Sequence, residues 1–176
     1  LACTIMVADC LPLLLTNRQG TVVAAAHAGW RGLAGEGGQG VIETVFKTFS
    51  AQTLSYQAQA ATQSMASGVA GQTLAWLGPC IGPQAFEVGP EVRDAFCAHD
   101  AAAAQHFSEH APGKFLANLA ALARQRLQAL GIAQVYGNDG SPRWCTVSQP
   151  SRFFSHRRDS RALGGSGRMA TCIWLD

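Results

Sequence analysis

The sequence predicts an α+β fold, with layered mixed β-sheets and flanking helices. Short apolar runs of strand length are mixed with segments of helical spacing, and they do not follow a regular βαβ alternation. The 176 residues suit one domain, and 48% hydrophobic residues are enough to form one core. We therefore expect a single domain over residues 1–176.

The first part of the chain predicts a β-hairpin. Residues 3–7, 11–15 and 21–26 are apolar runs of strand length, and residues 17–20 (Asn-Arg-Gln-Gly) supply turn chemistry between the last two. The apolar pattern is already under way at residue 3, and the first residue is Leu1 rather than methionine. The sequence therefore suggests a domain that lacks its N-terminal segment.

The rest of the chain predicts further helices and strands. Apolar residues at helical spacing predict helices over residues 41–49, 91–97 and 114–130. Apolar runs predict strands over residues 73–77, 132–136 and 169–175. Residues 51–71, rich in Ala, Gln and Ser, are either an extended helix or an insertion loop, and the glycine-rich residues 35–40 are expected to be flexible.

Charge and cysteine usage exclude several classes of protein. The net charge is +2 without a long basic run, so neither nucleic acid nor an anionic membrane is an expected partner. No apolar run approaches membrane-spanning length. The six cysteines form no CxxC pair and are expected to be reduced thiols in a cytoplasmic protein. Eleven arginines against two lysines favour fork-like contacts with anions.

Cys10 and His27 are candidate metal ligands. A turn centred between Arg18 and Gln19 places Leu15 opposite Val22 and Cys10 opposite His27. Directly opposed residues have Cβ atoms about 4.5–5.5 Å apart. Zinc needs about 2.3 Å to sulfur and about 2.0–2.1 Å to an imidazole nitrogen, so this register would allow both to bind one metal ion.

The same two side chains also fit roles without a metal. A cysteine and a histidine at strand ends are commonly a core residue and a hydrogen-bonded polar residue. They could also form a thiolate–imidazole pair in a hydrolase, because a neighbouring histidine lowers a thiol's pKa. A one-residue shift of the register would place the two side chains on opposite faces.

Six motifs occur in order along the chain. They are Val7-Ala8-Asp9-Cys10-Leu11-Pro12, His27-Ala28-Gly29-Trp30-Arg31-Gly32, Gly78-Pro79-Cys80-Ile81-Gly82-Pro83, Phe86-Glu87-Val88-Gly89, Phe154-Ser155-His156-Arg157-Arg158-Asp159 and Gly167-Arg168-Met169-Ala170. With these motifs the sequence resembles the YfiH/YlmD-like family, zinc-dependent purine nucleoside phosphorylases formerly described as multicopper polyphenol oxidoreductases or laccases. The resemblance implies the α+β arrangement shared with CNF1-like toxins.

The resemblance also implies an activity and a metal. The expected reactions are phosphorolysis of adenosine, inosine, guanosine and methylthioadenosine, and deamination of adenosine. The expected partners are therefore purine nucleosides and phosphate. The family's zinc site uses two histidines and one cysteine, of which the cysteine falls on Cys10 and one histidine on His27. The other histidine is expected upstream of Leu1, and the older family description implies copper instead of zinc.

Three arginines are candidates for the site. Arg31 follows a glycine turn beside His27, where it would form a surface ion pair or bind an anion. Arg157 and Arg158 precede Asp159, so they would form a structural salt bridge or grip phosphate, since guanidinium groups bind phosphate bidentately.

Other motif residues carry weaker expectations. Asp9 would cap a neighbouring element or orient the site. Trp30 would be a core residue or pocket wall, or would stack on a purine, and His156 would line the site rather than act as a proton donor. Arg168 is a weaker candidate for the site, and Cys80 is expected to be structural. The other cysteines are expected to be buried small residues: Cys3, Cys97, Cys145 and Cys172. The other histidines are expected to be solvated: His99, His106 and His110.

Three rival functions remain. A copper-dependent polyphenol oxidase conflicts with the histidine count, because multicopper sites consume many histidines and this chain has five. A cysteine hydrolase or deamidase would use Cys10 as nucleophile and His27 as base without a metal. A binding module would bind nucleosides without turnover.

Overall fold

Three β-sheets and five α-helices make up the part of the chain that the structure describes, residues 2–59 and 68–176 of a computed structural model. The strands are β1 (Ala2–Val7), β2 (Leu11–Asn17), β3 (Val23–Ala28), β4 (Thr73–Leu77), β5 (Glu87–Val88), β6 (Phe107–Ala111), β7 (Lys114–Ala117), β8 (Gln134–Gly137) and β9 (Met169–Trp174). The helices are α1 (Trp30–Ala34), α2 (Val41–Gln59), α3 (Pro90–Cys97), α4 (Leu119–Ala129) and α5 (His156–Leu163). Short 3₁₀ turns span Val69–Gln72, Ala101–His106 and Pro142–Trp144.

The four-stranded sheet has the order β3-β2-β4-β8 and carries the core. All its neighbours are antiparallel except β4 and β8, which are parallel. The central strand β2 is buried on both faces, which explains its unbroken apolar run. The other sheets are the ribbon β1-β9 and the three-stranded sheet β5-β7-β6. This mixture confirms the predicted α+β class.

The β2-β3 hairpin has a different register from the predicted one. Leu15 pairs with Ala24 rather than Val22, and His27 pairs with Pro12, so the prediction that Cys10 lies directly opposite His27 is wrong. The cause is Asn17, whose Oδ1 accepts hydrogen bonds from the backbone N–H groups of Thr21 (2.9 Å) and Val22 (3.1 Å) and enlarges the turn. The register moves by two residues, which preserves the face that each side chain occupies.

The predicted helix over residues 114–130 is only partly correct. Its first four residues form β7, in which Phe115 and Leu116 pair with β5. The helix begins after Asn118, whose Oδ1 accepts from the N–H of Ala121 at 3.0 Å and caps it. The apolar pair at 115 and 116 therefore belongs to a strand.

Several smaller expectations also need correction. Cys172 is exposed and Cys3 and Cys97 are only partly buried, whereas Cys145 is buried as expected; Cys80, predicted to be structural, is also buried. His106 is partly buried rather than solvated. Helix α2 extends through Gln59, and residues 60–67 of the predicted helix or insertion loop lie outside the described residues. No helix in the described residues is long and apolar enough to cross a membrane.

A largely buried ion pair fixes the glycine-rich segment 35–40. Arg126 Nε and Glu43 Oε1 are 2.9 Å apart, with side chains 11% and 13% exposed. Arg126 Nη2 also donates to the carbonyl of Gly38 (2.7 Å), and the Glu43 carboxylate accepts from the N–H of Gly40 (2.8 Å). The segment that the sequence suggested was flexible is therefore held by two charged side chains.

We expect Arg126→Met to lower the free energy of unfolding by about 3 kcal/mol, because it leaves the Glu43 carboxylate buried without its partner. Urea unfolding followed by circular dichroism measures this change. The control is Arg143→Met, which breaks the exposed pair with Asp139 (67% and 49% exposed) and should cost less than about 1 kcal/mol. Equal effects of the two substitutions would contradict a structural role for the buried pair.

Candidate functional site

Cys10 and His27 border the same small space, beside Gly29. Cys10 lies just before β2, His27 is near the end of β3, and Gly29 joins β3 to α1. A Cβ atom placed on Gly29 would lie 3.0 Å from Cys10 Sγ and 3.9 Å from His27 Nε2. The space exists because residue 29 has no side chain. The structure therefore brings the predicted pair together, although the two residues are offset along the hairpin.

The thiol of Cys10 is electrostatically disfavoured as a free thiolate. Its partial burial raises its pKa, the neighbouring Asp9 carboxylate raises the pKa further, and the Arg168 guanidinium opposes both. His27, in contrast, is exposed. A thiol with a raised pKa is a weak nucleophile, whereas a bound metal cation would remove its proton.

Asp9 joins the Cys10 segment to α5. It is the only non-glycine residue with positive φ (90°) among the described residues, and it is 9% exposed. Its carboxylate accepts from Thr146 Oγ1 (2.5 Å) and from the N–H of Arg157 (2.7 Å), and its carbonyl accepts from the N–H of Ile81 (2.9 Å). Asp9 therefore caps the N-terminus of α5, one of its two expected roles.

Arg158 is committed to contacts within the protein. Its guanidinium donates to the carbonyls of Thr146 (2.7 Å) and Phe153 (2.9 Å). It also donates to the carboxylate of Asp159, with 2.6 Å between Nε and Oδ1, and this hydrogen bond lowers the Asp159 pKa. These contacts match the structural salt bridge that was one of the two expectations for this residue.

Arg157 points in a different direction and is exposed. Its Nη1 and Nη2 atoms each donate to the Glu87 carbonyl at 3.2 Å. It lines a cavity of about 420 Å³ together with Glu87, His156, Ser160 and Arg161. Its wall has two guanidinium groups and a histidine against the one carboxylate of Glu87, and this excess of cationic groups is suited to an anion.

Arg31 follows Gly29 by two residues, in the first turn of α1. Its guanidinium carbon is 4.3 Å from the centre of the Trp30 ring, and its side chain is exposed. This cation–π contact orients the arginine without using its N–H donors on a carboxylate. Arg31 is therefore available to bind an anion near the Cys10–His27 space.

The donor set fits part of a zinc site. A thiolate and an imidazole are typical zinc ligands, and a catalytic zinc generally has three protein ligands. Within residues 2–59 and 68–176, no group of three or more His, Cys, Asp or Glu side chains is arranged to hold a metal ion. Cys10 and His27 would thus supply two ligands, and a third would have to come from outside these residues.

Sequence reasoning assigned no site role to three residues, two that shape this region and one that lines another cavity. Gly29 provides the space, Thr146 anchors Asp9, and Cys145 lines a separate cavity of about 300 Å³ that neither Cys10 nor His27 borders. Gly29 lies inside a recognised motif, which was a usable signal. Thr146 and Cys145 lie outside the motifs, so no motif pointed to a site role for them.

The whole chain, residues 1–176, matches the family described as "Multi-copper polyphenol oxidoreductase laccase". It is 49% identical over 176 residues to a purine nucleoside phosphorylase of Pseudomonas aeruginosa, covering 99% of this chain and 60% of the relative. It is 46% identical over 173 residues to purine nucleoside phosphorylase YfiH of Escherichia coli, covering 98% and 59%. The chain belongs to the YfiH family.

More distant and structural relatives agree with this membership. An adenosine deaminase from an unknown prokaryotic organism is 33% identical over 175 residues, covering 95% of this chain and 55% of that protein. The crystal structure of a Neisseria meningitidis protein matches with a TM-score of 0.73 and 44% identity, covering 99% of this chain and 60% of that one. The chain thus spans about three fifths of the length of these YfiH-family relatives.

Proposed function

We propose that this chain forms part of the active site of a zinc-dependent purine nucleoside phosphorylase. The observation that carries the proposal is the convergence of Cys10 Sγ and His27 Nε2 on the space beside Gly29, near exposed arginines. The relatives' names support the substrate class, purine nucleosides with phosphate. We include adenosine, inosine, guanosine and methylthioadenosine as substrates, and adenosine deamination as a second activity, which one relative's name supports.

Zinc is the metal we assign to Cys10 and His27. When bound, it would act as a Lewis acid and lower the pKa of a coordinated water to about 7. We expect a cytoplasmic location, where thiols such as Cys10 stay reduced and can bind a metal. Copper, implied by the family description, fits less well, because the described residues supply one cysteine and one histidine here rather than a histidine-rich cluster.

The arginines supply the anion binding that phosphorolysis needs. Arg157 and Arg31 would hold phosphate, Arg157 from the polar cavity and Arg31 from the start of α1. Trp30 packs partly against the core and carries Arg31 over its ring, so it would line the wall beside the purine. Arg158 would act as a positioning residue, because it fastens the loops before α5 while Asp9 fastens the helix to Cys10.

The test is a product assay with the purified chain, zinc and adenosine, with and without phosphate. We expect adenine and ribose 1-phosphate only when phosphate is present, and inosine in both samples. Escherichia coli YfiH in the same buffers serves as the positive control. If that relative turns over while this chain gives neither product, also after the expected N-terminal segment with the third zinc ligand is restored, the proposal is wrong.

The hydrolase and binding-module alternatives predict different outcomes. A metal-free hydrolase needs an activated thiol, yet burial and Asp9 raise the Cys10 pKa. It would also stay active after removal of zinc by a chelator, whereas the proposed enzyme would lose activity. A binding module would retain nucleoside binding by calorimetry and give no product.

Gly29 offers a direct test of the metal space. We expect Gly29→Ala to weaken zinc binding at least about tenfold, the size of effect seen when a ligand's surroundings are disturbed, because the new methyl group lies against Cys10 Sγ. Alanine can adopt the backbone conformation of Gly29 (φ −68°, ψ 159°), so the free energy of unfolding should change by less than about 1 kcal/mol.

The readout for Gly29→Ala is a competition titration with a chromogenic zinc chelator. The matched control is Gly32→Ala, three residues later, where the nearest atom to an added Cβ is 3.8 Å away. Unchanged zinc affinity in the Gly29→Ala variant would contradict the assignment of the metal to this space.

A further inference from the structure

We propose that Cys145 and Cys80 form a peroxide-reactive thiol pair, in which Cys145 is oxidised first and Cys80 then closes an intramolecular disulfide. This modification site lies outside the Cys10–His27 space and does not depend on the proposed nucleoside chemistry. Three features support it: the pairing of the two residues, the access to one of them, and the hydrogen bonds around its sulfur.

The backbone holds the two cysteines side by side. They are partners in an isolated parallel bridge, in which the N–H of Cys80 donates to the carbonyl of Trp144 (3.2 Å) and the N–H of Thr146 donates to the carbonyl of Cys80 (3.0 Å). Paired parallel strands lie about 4.7–4.9 Å apart. That spacing falls within the Cα separation of about 4.4–6.8 Å that a disulfide spans.

Access distinguishes the two thiols. Cys145 lines the cavity of about 300 Å³ together with Gly82, Pro142 and Ser148. Both side chains are buried, with Cys145 5% and Cys80 1% exposed, but only Cys145 borders this cavity. A hydrogen peroxide molecule is little larger than water, so it fits the cavity and meets Cys145 first.

The surroundings of Cys145 stabilise a thiolate. Burial acts to raise its pKa, but hydrogen bonds from the side chain and backbone of Ser148 and from the N–H groups of Gly82 and Val147 outweigh burial and lower the pKa. The N–H of Gly82 donates to Cys145 Sγ at 3.3 Å. Thiolate character in an accessible cavity is what makes a cysteine prone to oxidation.

The reaction needs only peroxide as oxidant. The Cys145 thiolate attacks one peroxide oxygen, the O–O bond breaks, and Cys145 becomes a sulfenic acid while hydroxide leaves. Burial raises the pKa of Cys80, so Cys80 reacts as a thiol: its sulfur bonds to the Cys145 sulfur, the S–O bond breaks, and the sulfenic hydroxyl leaves as water with the Cys80 proton. The two sulfurs together lose two electrons, and peroxide is reduced to two waters.

The disulfide would act on the segment that carries Cys10. Ile81, next to Cys80, donates its N–H to the carbonyl of Asp9 at 2.9 Å, and Thr146, next to Cys145, donates its hydroxyl to the Asp9 carboxylate. Both cysteines are therefore one residue away from a contact with Asp9. A new bond between the two cysteines would alter the distance between Ile81 and Thr146, the two residues that hold Asp9.

The experiment treats the reduced, metal-free chain with a small excess of hydrogen peroxide. Intact mass and peptide mapping are followed over time. We expect loss of two hydrogens and a cross-linked peptide joining Cys80 to Cys145, formed at least tenfold faster than any oxidation of the exposed Cys172. A first cross-link between Cys80 and Cys10, or oxidation of Cys172 before Cys145, would overturn the proposal.

Two variants test the order of events. In Cys80→Ser, dimedone should trap a sulfenic acid on Cys145, whereas in Cys145→Ser the thiol of Cys80 should remain unlabelled. Cys172→Ser is the control and should leave the cross-link unchanged. Dimedone labelling of Cys80 in the Cys145 variant at the rate of the native chain would overturn the assigned order, and the mapping of the unmodified chain does not depend on how the variants fold.

Discussion

Cys10→Ala should remove zinc from the protein and lower phosphorolysis by more than about 100-fold. Mutation of a residue that only hydrogen-bonds to a metal ligand lowers metal affinity or activity about 10–100-fold, and this substitution removes a ligand itself. The change is small in volume and Cys10 is only partly buried, so the fold should survive it. Metal content after gel filtration, measured by mass spectrometry, and the phosphate-dependent release of adenine give the two readouts.

The control for Cys10→Ala is Cys172→Ala. Cys172 is exposed on β9, where its sulfur accepts one hydrogen bond from Thr4 (3.3 Å). This variant should keep its zinc and its turnover, which separates a specific ligand from general loss of a thiol. A Cys10→Ala protein with native metal content and activity would refute the metal assignment.

Asp9→Ala should lower the free energy of unfolding by about 2–4 kcal/mol. It leaves the hydroxyl of Thr146, which is fully buried, and the N–H of Arg157 without their acceptor, and each lost partner costs about 1–3 kcal/mol. The positive φ of Asp9 is also unfavourable for alanine, since Asn and Asp adopt it more readily. Urea unfolding and the phosphorolysis assay would be run on the same preparations.

Asp9→Asn provides the matched comparison. Its amide oxygen can accept from Arg157, and its amide nitrogen can donate to the rotatable Thr146 hydroxyl, so we expect a loss of about 1 kcal/mol or less. An alanine variant as stable as the asparagine variant would show that the two hydrogen bonds do not hold α5 against the Cys10 segment.

The hairpin shows which part of the site the sequence determines. Apolar runs and the turn residues located β2 and β3, and they placed Cys10 and His27 on one face. The register depended on the side chain of Asn17, which binds two backbone N–H groups across the turn. Such a local contact is not visible in a hydrophobic pattern, so the predicted direct opposition failed while the shared face survived.

Helix α4 shows a second limit. Phe115 and Leu116 continue the helical stripe of the residues after them, yet they form β7 because β5 and β6 pair with both its edges. Periodicity in one segment carries no information about distant strands that compete for the same residues. Asn118 was a local signal for the helix start, since asparagine is a favoured N-cap residue.

The two arginines of α5 show a third limit of prediction from the sequence. Sequence adjacency made Arg157 and Arg158 equivalent candidates, but neighbouring residues on a helix point about 100° apart. Arg158 faces the loops and Asp159, whereas Arg157 faces the polar cavity. Only the packing of α5 onto Asp9 decides which arginine faces solvent.

The β1–β9 ribbon has a consequence for the order in which the protein matures on the ribosome. Ala2 pairs with Trp174, so β1 cannot form its hydrogen bonds with β9 until one of the last segments of the described chain has been synthesised. Arg168, which favours the Cys10 thiolate, and the α5 N–H that Asp9 caps are also made late. Contacts of such large sequence separation form slowly. The β2-β3 hairpin can form early, but Cys10 acquires its native surroundings only once residues beyond 168 have left the exit tunnel.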